Sequence, residues 1–119
     1  MLSSKYRLKK KINFARIEID GSMYQSKSFG MGVYNRADGG LSHFGFIIST
    51  KISKKAVVRN RIKRVMSEIV RKNLDKLNNE LDVVFLIKPL AVKITREELE
   101  SEVYAIITKN LQSNIISNS

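Results

Sequence analysis

Val58, Ile62, Val65 and Ile69 recur at spacings of four, three and four residues. Such positions share a face only in a helix, and a strand would scatter them to both sides. Met66, Val70, Leu74 and Leu77 widen the stripe, so the spacing predicts a long amphipathic helix from Lys54 to Leu77. Strand-like segments flank it. Phe44, Phe46, Ile48 and Thr50 alternate with Gly45, Ile47 and Ser49 upstream, and the buried-strand pattern Asp82–Lys88 lies downstream, stopped by Pro89. A helix joining two strands demands a mixed α and β fold with a core on one helix face.

The remaining segments fit around this unit. Ile12, Phe14 and Ile17, closed by Gly21, predict a helix of two turns. Residues 22–35 alternate loosely, with Phe29, Met31 and Val33 on one strand face and Gly30 and Gly32 on the other. Ala37-Asp38-Gly39-Gly40 is a turn signal at which two antiparallel strands are expected to meet. Thr95 and Glu98 stand at capping-box spacing before a helix whose apolar face is Leu99, Val103, Ile106 and Ile107. The element order is α-β-β-(β)-α-β-α. Residues 1–11 form a basic arm expected to be disordered or extended, and the polar tail 112–119 is expected to fray. The length of 119 residues suits one domain, 1–119.

Two chemistries drop out early. The chain has no cysteine, which excludes disulfides and thiolate metal sites. Its longest apolar runs, such as Val83–Ile87, are far short of a membrane span, and no apolar segment of a secretory signal follows the N-terminus. A soluble, cytoplasmic protein without membrane contact is expected.

Charge is the informative part of the composition. The formal net charge is +11, and its distribution is lopsided. Residues 1–64 hold 15 Lys and Arg against Glu18, Asp20 and Asp38, whereas residues 65–119 hold 7 against 8 acids. Such crowding weakens the compact state by self-repulsion, so a polyanionic partner explains it.

The predicted long helix concentrates this charge. At 100° per residue, Lys55, Arg59 and Lys63 form one flank of the apolar stripe, while Asn60, Arg64 and Arg61 cover the outer face and other flank. Lys54, Lys55 and Arg59 crowd the helix start, where the backbone dipole is already positive and each cation costs roughly 0.3–1 kcal/mol at low salt. No acid stands three or four residues from Lys55, Arg59, Arg61 or Lys63; only Arg64 has one, Glu68. Phosphates at that end would relieve both problems.

The run Lys54-Lys55-Ala56-Val57-Val58-Arg59-Asn60-Arg61-Ile62-Lys63-Arg64 closely resembles the signature of the bacterial-type ribonuclease P protein subunit. Phe44-Gly45-Phe46-Ile47-Ile48-Ser49-Thr50-Lys51 continues the match upstream. Arg7-Leu8-Lys9-Lys10, Phe14, Gly21, Phe29 and Asp82 to Pro89 follow in order, over roughly residues 5–110. The resemblance implies an α/β (α+β) two-layer sandwich with a four-stranded mixed sheet, about three helices and a left-handed βαβ crossover. It implies that catalysis belongs to an RNA subunit and its bound Mg2+; the protein alone is expected to be inert, with no metal assigned to it and no protein partner expected. Lys51, Lys54, Lys55, Arg59, Asn60, Arg61, Lys63 and Arg64 would face that RNA. Phe14, Ser49 and Lys51 would lie near the cleft for the 5′ leader of precursor tRNA, with Phe29 and Tyr34 as further aromatic candidates. Glu18, Gly32, Thr50 and Ser67 depart from the usual pattern, so a cleft less aromatic and less positive than typical is expected.

Other chemistries find little support. His43 is the only histidine, and Glu97, Glu98, Glu100 and Glu102 point in several directions, as on a solvated face. No phosphate-loop fingerprint is present. The alternatives are a structural RNA-binding protein, such as a ribosomal one, and a DNA-binding regulator. Against the regulator, the cationic helix follows strands, not a partner helix and tight turn.

Overall fold

The computed structural model describes residues 2–77 and 80–111. These contain three α-helices, α1 (Lys11–Asp20), α2 (Ala56–Lys72) and α3 (Arg96–Ile106). Four strands accompany them: β1 (Ser22–Gln25), β2 (Phe29–Asn35), β3 (His43–Ile47) and β4 (Leu81–Ile87). They form one mixed sheet in the order β1-β2-β4-β3. β4 pairs antiparallel with β2 and parallel with β3, to which α2 connects it.

This order corrects one expectation. The turn at Ala37–Gly40 exists, with Ala37 and Gly39 at φ 55° and 74° and the Asp38 carboxylate accepting from the Gly40 amide. It does not join paired neighbours, because β4 is inserted between β2 and β3. The antiparallel hairpin lies earlier, where residues 22–35 fold back on themselves as β1 and β2. The reason is hydrophobic demand. β4 is buried along most of its length, and a central place covers it on both faces. Phe85 there packs edge-on against Phe29 and stacks with Phe46, with both ring pairs 5.5 Å apart.

One face of the sheet carries the main core. Phe29, Met31, Val33, Phe44, Val83, Phe85 and Ile87 cluster with Ile62, Met66, Ile69 and Val70 of α2 and Leu99, Val103 and Ile106 of α3. Each such side chain contributes about 1.5–3 kcal/mol when fully buried. Val58 and Val65 of the predicted stripe are partly buried against this cluster. α2 starts after Lys54 and Lys55 and ends before a short 3-10 turn, Leu74–Lys76. It is therefore shorter at both ends than the stripe suggested. Its end is closed by Asn73, whose buried amide donates to the Ile69 carbonyl at 2.7 Å.

The opposite face is thin, and α1 lies on it. Strand pairing aligns Met23, Gly32, Val84 and Gly45 in a row across the sheet. A Cβ on Gly32 would come within 2.8 Å of Ile17 Cγ2, and one on Gly45 within 2.8 Å of Phe14 Cζ. Missing side chains are what let α1 settle there. The next row, Gln25, Gly30, Leu86 and Ile47, keeps Leu86 and Ile47 partly exposed.

Two further expectations change. Leu2 and Leu8 of the basic arm are buried, Arg7 bridges to Phe44, and the Leu8 amide donates to the Phe44 carbonyl at 2.9 Å. The arm is thus laid along the open edge of β3, with two leucines driving it and edge amides and carbonyls receiving it. The acids of α3 are also not a merely solvated face. Glu98 completes the capping box with Thr95, Glu100 pairs with Lys72 at 3.1 Å, and Glu102 accepts from Ser28 N and Oγ and from Ser26 Oγ. Burial alone would push the Glu102 carboxyl up, but these hydrogen bonds outweigh it and hold it below the ordinary glutamate value. The tail 112–119 lies outside the described residues.

Candidate nucleic-acid interface

β3 and α2 together set the geometry of the cationic surface. β3 ends at Ile47, and Ser49, Lys51, Lys54 and Lys55 all lie exposed on the connection to α2. Ser53 Oγ accepts from the Lys55 amide at 3.2 Å, and α2 then begins with no acid in its first turn and no side-chain cap from Lys55. Asn60, Arg61, Lys63 and Arg64 are exposed on the turns that follow.

Arg59 differs from its neighbours. It is half-buried, and its Nη1 donates to the Ser53 carbonyl at 2.7 Å, so it also pins the connection to the helix. Arg64 has no bond to Glu68, the acid placed four residues on. Glu68 instead pairs with Arg71 at 2.7 Å, the largest of the influences that lower its carboxyl to about 2. Among the described residues, none of the cations from Lys51 to Arg64 forms an ion pair.

The predicted leader residues divide. Phe14 is half-buried over Gly45 and, together with Lys63 of α2, lines a cavity of about 230 Å³ at the β3 edge. Ser67, another lining residue, is buried and donates to the Lys63 carbonyl at 2.8 Å. Tyr34 is half-buried, with the Arg16 guanidinium 4.7 Å from its ring centroid, so one ring face is already occupied. Phe29 has no exposed surface at all. A ring buried in the core cannot stack on a base, and Phe29 is removed from the leader set.

Sequence reasoning missed a charged cluster at the other end of the sheet. Asp82, fully buried, accepts from Arg16 Nη2 at 3.1 Å and from Arg36 Nη1. Arg36 also binds Asp38 at 2.8 Å, which holds that carboxyl at about 2 and raises the guanidinium. These partners are far apart in sequence, and no local spacing announces them.

The described residues thus define a mixed four-stranded sheet backed by helices, with one helix start whose cations form no ion pair among them. Comparison with known proteins defines it further. The family model described as Ribonuclease P matches residues 2–110. The "Ribonuclease P protein component" of Fusobacterium nucleatum is 35% identical, with 94% of this chain and 95% of that protein covered. The protein of the same name from Pseudanabaena is 29% identical over 92% of this chain and 94% of its own. Among solved structures, the RNase P protein of Staphylococcus aureus superposes with a TM-score of 0.81 at 22% identity, covering 91% of this chain and 98% of that one. The RNase P protein of Thermotoga maritima gives 0.77 at 21% identity, covering 87% and 96%. The chain belongs to the ribonuclease P protein family and is the protein component of that endoribonuclease.

Proposed function

We propose that Lys51, Lys54, Lys55, Asn60, Arg61, Lys63 and Arg64 dock the protein on the catalytic RNA subunit of ribonuclease P, with Arg59 both contacting RNA and bracing the helix entry. The observation that carries this reading is that these exposed cations have no acidic partner among the described residues. The isolated fold gains nothing from such a surface, whereas RNA phosphates would neutralise it. Phe14, Ser49 and Lys51 flank the route of the precursor tRNA 5′ leader, and Tyr34 offers its remaining ring surface.

In this reading the cleavage, in the cytoplasm, belongs to the RNA subunit, whose bound Mg2+ would supply the metal chemistry. No group of three His, Cys, Asp or Glu side chains suited to a metal occurs among the described residues. No described helix is long and apolar enough to cross a membrane. The test is cleavage of precursor tRNA by the cognate RNA subunit at low magnesium, with and without the protein. Stimulation is expected, and its absence would sink the reading.

Affinity for the RNA subunit should also fall with salt at a log–log slope of about −5 to −7, if six to eight phosphates are neutralised as on a duplex. Arg61→Ala with Arg64→Ala should flatten that slope by about two. This pair tests docking more cleanly than one containing Arg59, because the Arg59 bond to Ser53 is structural.

A further inference from the structure

We propose that the open surface cavity bordered by the N-terminal arm, α1 and the start of β3 is a second phosphate-binding site, which receives a phosphate group of the RNA. The inference rests on the RNA-binding reading above, and no α2 residue lines the cavity. The cavity has a volume of about 450 Å³, and Lys5, Arg7, Lys9, Lys10, Arg16 and Arg36 all line it. His43 completes the wall at the sheet end.

The charges in this wall fall into two sets. Arg16 and Arg36 are anchored by buried Asp82, with Asp38 helping to hold Arg36, so they form a fixed floor. Arg16 Nε is buried and has no acceptor, a donor left over after Asp82 is satisfied. Lys5, Arg7, Lys9 and Lys10 have no acid among the described residues. Two of them turn to neutral groups: Lys9 donates to Ser4 Oγ at 2.7 Å, and Lys5 lies 5.3 Å from the Tyr6 ring centroid. Four uncompensated cations over an arginine floor match a group that concentrates negative charge on several oxygens.

Position identifies RNA as the source. Arg7 lines this cavity and also the neighbouring one that Lys63 of α2 enters. A strand whose phosphates leave α2 therefore meets Arg7 next and the cavity after it. The occupant is either an internal phosphodiester of such a strand or a 5′-terminal phosphate.

The test uses the full chain, the Arg7→Gln with Lys10→Gln variant, and the Arg61→Ala with Arg64→Ala variant. Arg7 and Lys10 are exposed, so the first variant should keep the parent melting temperature. Binding of a short 3′-labelled single-stranded RNA, carrying either a 5′-triphosphate or a 5′-hydroxyl, is followed against salt by fluorescence anisotropy. The cavity variant should bind several-fold more weakly and flatten the salt slope by about one and a half, the value for two single-strand phosphates. If the parent prefers the triphosphate and the cavity variant loses that preference, the occupant is the terminal phosphate. Equal binding of both ends with the flattened slope identifies an internal one. A folded cavity variant with unchanged affinity and slope would overturn the proposal, as would equal competition by polyglutamate.

The α2 variant separates the two readings. It keeps the cavity intact, so it should still respond to the Arg7 and Lys10 substitutions when these are added. That response persists even if the α2 variant assembles normally with the RNA subunit, an outcome that would remove α2 docking alone.

Discussion

α2 and α3 pack on the same sheet face through similar apolar stripes, yet they begin in opposite ways. α3 opens with Thr95 and Glu98 capping each other and with Glu97 beside the positive end of the backbone dipole. α2 opens with Lys54 and Lys55, no acid and no side-chain cap. The acids at three positions along α3 are committed to the fold, through the cap, Lys72 and the β1–β2 turn. The cations along the front of α2 are committed to nothing among the described residues except the Arg59 brace. One helix is closed by its own protein, and the other carries cations with no acidic partner among the described residues.

The hardest way to break this contrast is through the shared core. Ile62 is 3% exposed, and Ile62→Ala should cost about 2–5 kcal/mol, read as a shift in denaturant midpoint. A loss comparable to that of a surface substitution would mean that α2 is not anchored as described.

Next comes Glu102. Truncation to alanine strands the amide and hydroxyl of fully buried Ser28, for about 2 kcal/mol. The sign with pH follows from its lowered folded value. Its stabilisation is present above the unfolded glutamate pKa of about 4.3 and is lost as pH falls through the folded value. The stability gap between the parent and Glu102→Gln should therefore narrow only in acid, and a gap that widened there would reverse the assignment.

The smallest effects are the sharpest. Thr95→Ala should weaken the protein by about 1 kcal/mol by removing a cap already in place. Lys55→Asp, which supplies the missing cap at α2, should strengthen it by about the same amount while weakening assembly with RNA. If Lys55→Asp left RNA affinity untouched, the start of α2 would be merely a poor helix end.

Sequence made the local devices legible and the distant ones opaque. The capping box at Thr95 and the stripe from Ile62 to Val70 depend on neighbours a few residues away, and both are present. The cationic segment was legible for the same reason, since the missing acids can be counted along the helix. Strand order was not, because the Ala37–Gly40 turn is a real local signal, and what decides pairing is the burial of β4. Leu2 and Leu8 carry no periodicity, so nothing in the arm announces that β3 has an edge to receive it. Phe29 and Phe14 look alike as aromatics near glycines; only the three-dimensional arrangement puts one inside and the other over Gly45.

The strip of arm hydrogen-bonded beside Phe44 also governs how molecules treat one another in concentrated solution. Without residues 2–10, the rim of β3 would present free carbonyls and amides to the same rim on another copy, an invitation to rim-to-rim stacking. A shortened chain should scatter more light as its concentration rises, while the intact chain stays dispersed. Fusion handles at this end belong behind a spacer, where they cannot pull the strip loose.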